Sequence, residues 1–151
     1  MSSNSPAKNN APTGSVTTAM PSIPLYAADT VALILRLEKR TMGADVRQAF
    51  LAVEQGKAEL LIPAMVCTEM MYLAERKRIT ATIGDVESYL ARYTACREAP
   101  LTLAIVKVAQ TIRDIPELHD RLIAATAISY GATLLTNDTT IRASLHLQTL
   151  W

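Results

Sequence analysis

Short apolar runs that end in an acid, each next to a helical pattern, are the feature that most constrains this chain. IPLYAAD, residues 23–29, reads as a strand ending at Asp29, and TVALILRLEKR follows with Val31, Leu33, Ile34 and Leu37 at helical spacing. AELLIPAMV, residues 58–66, is a second strand-like run, interrupted by Pro63, and CTEMMYLAERKRI reads as a helix after it. ATLLTND, residues 132–138, is a compact third strand ending at Asp138. Ahead of it, HDRLIAATAISYG reads as an alanine-rich helix opened by Asp120 and closed by Gly131. Strands alternating with helices imply an α/β fold with a mainly parallel sheet covered on both faces. In such sheets ligands gather beyond the carboxyl ends of the strands.

The remaining segments fit that alternation. A helix is predicted over Ala44–Gln55 and stopped by Gly56; another, DVESYLARYTACR, runs from Asp85 to Arg97 after Gly84. A short strand is expected near Pro100–Leu103, then a helix through AIVKVAQTI, a break at Pro116, and a last strand in SLHLQTLW that closes the core with Leu150 and Trp151. No internal repeat is visible. Residues 1–22, rich in Ser, Asn, Pro, Ala and Thr, have almost nothing to bury and are expected to stay disordered, leaving residues 23–151 as the globular domain.

The acids carry the chemistry. Asp29 and Asp138 stand where strand candidates end, Glu69 follows the second run within one helical turn, and Asp120 opens the helix leading into the third. Neighbouring strands would bring all four to one rim. Clustered carboxylates resist ionising beside one another, so such a group calls for a compensating cation. Oxygen-only donors favour Mg²⁺ or Mn²⁺ over zinc. An ion of that kind polarises a phosphodiester and activates water, which removes the need for a nucleophilic Ser, Cys or Lys. Thr30 and Thr136 flank these acids as candidate hydrogen-bond donors that orient them. Arg121 and the run Arg76-Lys77-Arg78 are candidates for meeting substrate phosphates.

Each residue alone has a plainer reading. An aspartate at a helix start caps exposed N–H groups. A basic run at a helix end complements the macrodipole. His119 reads at least as readily as a structural or surface histidine as it does as a catalytic base, and Asp114 and Glu117 read as ordinary loop acids. Bulk properties narrow the choice: with 15 Lys and Arg against 14 Asp and Glu, the chain is not one that coats nucleic acid by charge alone. Cys67 and Cys96 lack metal-ligand spacing and read as reduced, buried thiols. No apolar run reaches the roughly 18 residues that a membrane helix needs.

The joint pattern resembles the PIN-domain nucleases, in particular the VapC-like toxins of toxin–antitoxin pairs, from about Leu25 to Trp151. YAADTVALILRL, IPAMVCTEMMYLAERKRI and LHDRLIAATAISYGATLLTND carry the resemblance, and LQTLW is similar to the family's last strand. It implies a three-layer α/β/α fold and Asp29, Glu69, Asp120 and Asp138 as catalytic metal ligands. It further implies dependence on Mg²⁺ or Mn²⁺, endonucleolytic cleavage of RNA in the cytoplasm, a homodimer, and inhibition by a small antitoxin protein. Thr139 and Thr140 follow Asp138 where some relatives place a further acid.

Rival readings fit less well. A phosphoacceptor domain wants paired acids after the first strand and a lysine after the last; Ala28 precedes a lone Asp29, and no lysine lies beyond Lys107. A haloacid-dehalogenase-type phosphatase wants a second Asp where Val31 stands. An RNA-processing nuclease of the same fold without an antitoxin, and a non-catalytic RNA- or protein-binding module, are the serious alternatives. Binding alone does not require mutually repelling acids.

Overall fold

A computed structural model describes residues 1–3, 14 and 22–151; the disordered-tail expectation for residues 1–22 therefore lies almost wholly outside the described residues. Among those described, five strands and seven helices alternate along the chain. In order they are β1 (Leu25–Ala28), α1 (Thr30–Leu37), α2 (Ala44–Glu54), β2 (Glu59–Pro63), α3 (Ala64–Glu75) and α4 (Ile83–Arg92). Then come β3 (Cys96–Ala99), α5 (Leu103–Thr111), α6 (Leu118–Tyr130), β4 (Thr133–Leu135), α7 (Thr139–Arg142) and β5 (Thr149–Leu150). The sheet order is β3-β2-β1-β4-β5, and every pair is parallel. Right-handed crossovers place α1 to α4 on one face and α5 and α6 on the other, giving the three-layer α/β/α arrangement.

The sheet interior is built from side chains that tolerate burial on both faces. Ala27, Ala28, Leu60, Leu61, Ile62, Leu134 and Leu135 have no exposed surface, the continuous apolar character expected of parallel strands. In α6 six consecutive residues, Leu122–Ala127, are buried. Alanine on that helix lets its backbone approach both the sheet and α5 closely. Gly131 ends it in the left-handed conformation at φ 65°, which a Cβ would strain. Trp151 packs beside Gly43, where an added Cβ would meet the Trp151 carbonyl carbon at 2.8 Å.

Several boundaries differ from the sequence-based expectation. The second strand stops at Pro63, and α3 begins at once, with Pro63 as its N-cap. That helix ends at Glu75 rather than running through Ile79, because Lys77 turns the backbone left-handed at φ 56°. The helix expected over Asp85–Arg97 ends at Arg92, and the strand expected near Pro100–Leu103 lies at Cys96–Ala99. Local propensity favoured helix there, but the open edge of β2 pairs Leu60 with Cys96 and Pro63 with Ala99. An edge strand tolerates the charged Arg97 and Glu98, and Arg97 meets Glu59 at 3.5 Å across the pair. The closing strand is only Thr149–Leu150, with Leu150 and Trp151 partly buried against the core. Among the described residues no helix is long and apolar enough to cross a membrane.

Leu61 lies at the middle of β2 with no exposed surface. Leu61→Ala is expected to cost about 2–5 kcal/mol, read as a lower urea midpoint with an unchanged slope.

Candidate active site

Three of the helices follow a strand directly, so α1, α3 and α7 all begin at the carboxyl rim of the sheet; α6 begins there too, because it runs back to start β4. The register is what fixes the site. Ala28 pairs with Leu135, so Asp29 and Thr136 leave their strands side by side. The Asp29 N–H donates to the Leu135 carbonyl at 3.0 Å. The Thr136 hydroxyl donates to Asp29 Oδ2 at 2.6 Å, and the Thr30 N–H donates to Oδ1 at 2.7 Å. Asp29 is 5% exposed and Thr136 fully buried, so this is a carboxylate built into the core rather than a surface cap.

From there hydrogen bonds run in both directions. The Thr30 hydroxyl donates to Glu69 Oε1 at 3.0 Å, across 39 residues of sequence. The Asp138 N–H donates to Thr136 Oγ1 at 3.1 Å, and Asp138 Oδ1 accepts from Ile141 N–H at 2.9 Å as the cap of α7. Asp138, Thr136, Asp29, Thr30 and Glu69 thus form one connected chain. Asp120 joins it through space. Burial, followed by the charges of Glu117, Asp138, Asp29 and Glu69, pushes its carboxyl up to about 6. Burial first, and then the Asp138 charge, hold Asp29 above the usual carboxylate range against the pull of its donors. Glu69 is raised mainly by burial and also by Asp29 and Glu117, while the Thr30 hydroxyl and His119 pull the other way.

Glu117, expected to be a loop acid, is the missed member of this group. It caps α6, its Oε2 accepting from Asp120 N–H at 2.6 Å, so Asp120 stands in the first turn rather than opening the helix. Its signal in the sequence was an acid three residues ahead of Asp120 at the start of a helical run. His119 lies 3.6 Å from the Glu117 carboxylate on the exposed side. The basic candidates are placed differently. Arg121 donates to the carbonyls of Ile115 and Pro116, both at 3.1 Å, and so braces the loop before α6. Arg76, Lys77 and Arg78 lie past the far end of α3, about 10 Å or more along the helix axis from Glu69. Arg76 stacks over Tyr72, 4.5 Å from the ring centre.

Among the described residues, none of the four carboxylates forms an ion pair, and no three acids, histidines or cysteines stand close enough to cage an ion. The donor set nevertheless suits a hard divalent cation. All its ligand atoms are oxygens, three of the four carboxyls are raised, first by burial and then by neighbouring acids, and Mg²⁺ needs only one or two carboxylates beside its waters.

The raised carboxyls set the sign of a pH effect. Asp120 keeps its proton to about 6 in the fold but only to 3.8 unfolded, so the unfolded chain gives up that proton first as pH rises. Metal-free protein is therefore expected to melt at a lower temperature at pH 7 than at pH 4.5, and Asp120→Asn to flatten the difference. Thr136→Val keeps the shape but removes a donor to a buried charge. Its expected cost is about 1.5–3 kcal/mol near neutrality, shrinking at acid pH where Asp29 is protonated.

Residues 26–143 match the family described as PIN domain. No curated protein matches the chain significantly. Among solved structures, the chain is similar to one in VapBC2 from Rickettsia felis bound to a DNA fragment from their promoter, with 18% identity, 84% of this chain and 98% of that chain covered, and a TM-score of 0.66. It is similar to a chain of FitAcB from Neisseria gonorrhoeae, with 15% identity, 83% and 96% covered, and a TM-score of 0.60. For a toxin-antitoxin complex from Klebsiella pneumoniae the figures are 21% identity, 85% and 96% covered, and a TM-score of 0.58. These structures share the fold, and the family match spans most of the chain: it belongs to the PIN domain family, whose members are nucleases.

Proposed function

We propose that this protein is a metal-dependent endoribonuclease and the toxin of a toxin–antitoxin pair, with residues 23–151 as its nuclease domain. The observation that carries the reading is the convergence of Asp29, Glu69, Asp120 and Asp138 at one rim, three of them linked through Thr30 and Thr136. Support for an antitoxin partner comes from the shared fold with a chain of the Klebsiella pneumoniae toxin-antitoxin complex. A homodimer and a cytoplasmic setting belong to the same proposal, as the family resemblance implies.

Asp29, Glu69, Asp120 and Asp138 would hold Mg²⁺ or Mn²⁺. When bound, such an ion supplies positive charge against the phosphate and a lowered pKa for water. The protein's own part is to fix its acids. Donors from Thr30 and Thr136 hold both oxygens of Asp29, which leaves its orientation no freedom. The Thr30 hydroxyl holds one oxygen of Glu69. Asp138 spends Oδ1 on its helix, while its other oxygen accepts from no protein donor among the described residues. Asp120 carries the raised carboxyl and must lose its proton before it can serve as a ligand. Cation loading therefore releases protons and weakens as pH falls toward 5.

The test is cleavage of a mixed RNA pool by purified protein with Mg²⁺ or Mn²⁺, with EDTA, and with Asp29→Asn. Cutting is expected only with the ion and only in the wild type. Mg²⁺ should raise the wild-type melting temperature more at pH 7.5 than at pH 5. Cleavage that persists in EDTA or in folded Asp29→Asn protein, or no cleavage under any condition, would overturn the reading.

A further inference from the structure

Away from the carboxylates, a cleft of 680 Å³ opens between the end of α1 and helices α2 and α4. Five cations line it: Arg36, Lys39, Arg40, Arg47 and Arg92. Its two carboxylates are both engaged. Glu54 accepts from both Nε and a terminal nitrogen of Arg36 and from the Tyr89 hydroxyl, and Asp85 closes the capping box of α4 with Thr82. Arg40 stands 3.5 Å from Glu38 and is largely exposed. Among the described residues, Lys39, Arg47 and Arg92 have no carboxylate partner. Arg92 lies over the Tyr93 ring, which packs against Tyr89 with centroids 4.8 Å apart.

We propose that this cleft is an RNA anchor, holding backbone phosphates of the substrate strand at a distance from the cut. The inference rests on the ribonuclease reading and extends it. A rim of carboxylates repels RNA, and Arg121 is taken up by loop carbonyls. A chain of net charge +1 therefore has to meet its substrate through locally concentrated cations, and the cleft concentrates them. Arginine forks match phosphate oxygens. The ribonuclease reading, together with that fork geometry, is what favours the phosphates of RNA over an acidic protein segment. Helix α1 runs from Asp29 at the rim to Arg36 in the cleft, about 10 Å along its axis, so one strand can reach both.

The test uses anisotropy of a fluorescein-labelled oligouridine in EDTA, comparing wild type with Arg47→Ala/Arg92→Ala protein of unchanged melting temperature. Binding is expected to weaken about tenfold or more, and the slope of log K against log salt to fall by about 1.4 for two lost single-strand phosphate contacts. With Mg²⁺, cleavage of the oligouridine should show a raised KM, while hydrolysis of a dinucleotide, too short to span rim and cleft, is unchanged. Equal RNA binding by both proteins overturns the inference. So does a decaglutamate peptide that binds the wild type and loses affinity in the variant while RNA does not, which would make the cleft a protein-docking site. RNA held through the cleft by a protein that cuts nothing supports the anchor and counts against the nuclease reading alone.

Discussion

The parallel register between β1 and β4 is the constraint on which the site depends. Pairing Ala28 with Leu135 sets Asp29 beside Thr136, and the 2.6 Å hydrogen bond between them ties two chain segments 107 residues apart. Slipping the register by one residue would turn every β4 side chain to the opposite face and leave the buried Asp29 carboxylate without that donor. The far edge of β4 is held as well, since Thr136 N–H donates to the Leu150 carbonyl and Leu134 N–H to that of Gln148. A two-residue final strand thus matters to a carboxylate it never touches.

Capping and chemistry are not alternatives here. Asp29 gives Oδ1 to the start of α1 and Oδ2 to the Thr136 hydroxyl, while Asp138 gives Oδ1 to the start of α7 and its second oxygen accepts from no protein donor among the described residues. Asp120 sits in the first turn of α6 under the Glu117 cap. Helix N-termini bring partial positive charge to this rim, which offsets part of the repulsion among the acids. Beside the larger effect of burial, neighbouring acids still raise the carboxyls of Asp29, Glu69 and Asp120.

The α/β class and the four rim acids were legible because they lie in short segments whose periodicity and end residues agree. Register between distant strands was not, since nothing in LYAA or TLL names its partner, and only the assembled sheet brings Thr136 to Asp29. The errors have the same origin. Cys96 and Arg97 were read as the tail of a helix because the strand character of CREA comes from the vacant edge of β2 rather than from its own residues. Glu117 was read as an ordinary loop acid, yet its carboxylate closes the first turn of α6 and bears on Asp120 more than any other charge does. Arg121 was singled out by sequence adjacency to Asp120, whereas a helix sends neighbouring side chains in different directions and its guanidinium meets the Ile115 and Pro116 carbonyls.

The same topology sorts charge along the molecule. A helix that follows a parallel strand starts at the carboxyl rim and ends at the opposite edge, and its dipole favours acids at the start and bases at the end. Helix α1 runs from its Asp29 cap to Arg36, with Lys39 and Arg40 just beyond; α3 carries Glu69 at mid-helix and is followed by Arg76, Lys77 and Arg78; and the single turn of α7 goes from Asp138 to Arg142. A net charge of +1 therefore conceals two charged poles. The four acids of the acidic pole have no cation partner among the described residues, and at the basic pole Arg36 and Arg40 meet Glu54 and Glu38 while Lys39, Arg47 and Arg92 have no carboxylate partner there. Under the proposed function, a phosphodiester strand with a divalent ion at one end would answer both at once. That complementarity follows from helix direction and sheet order, so any variant that keeps the fold but removes charge at one pole tests that pole alone.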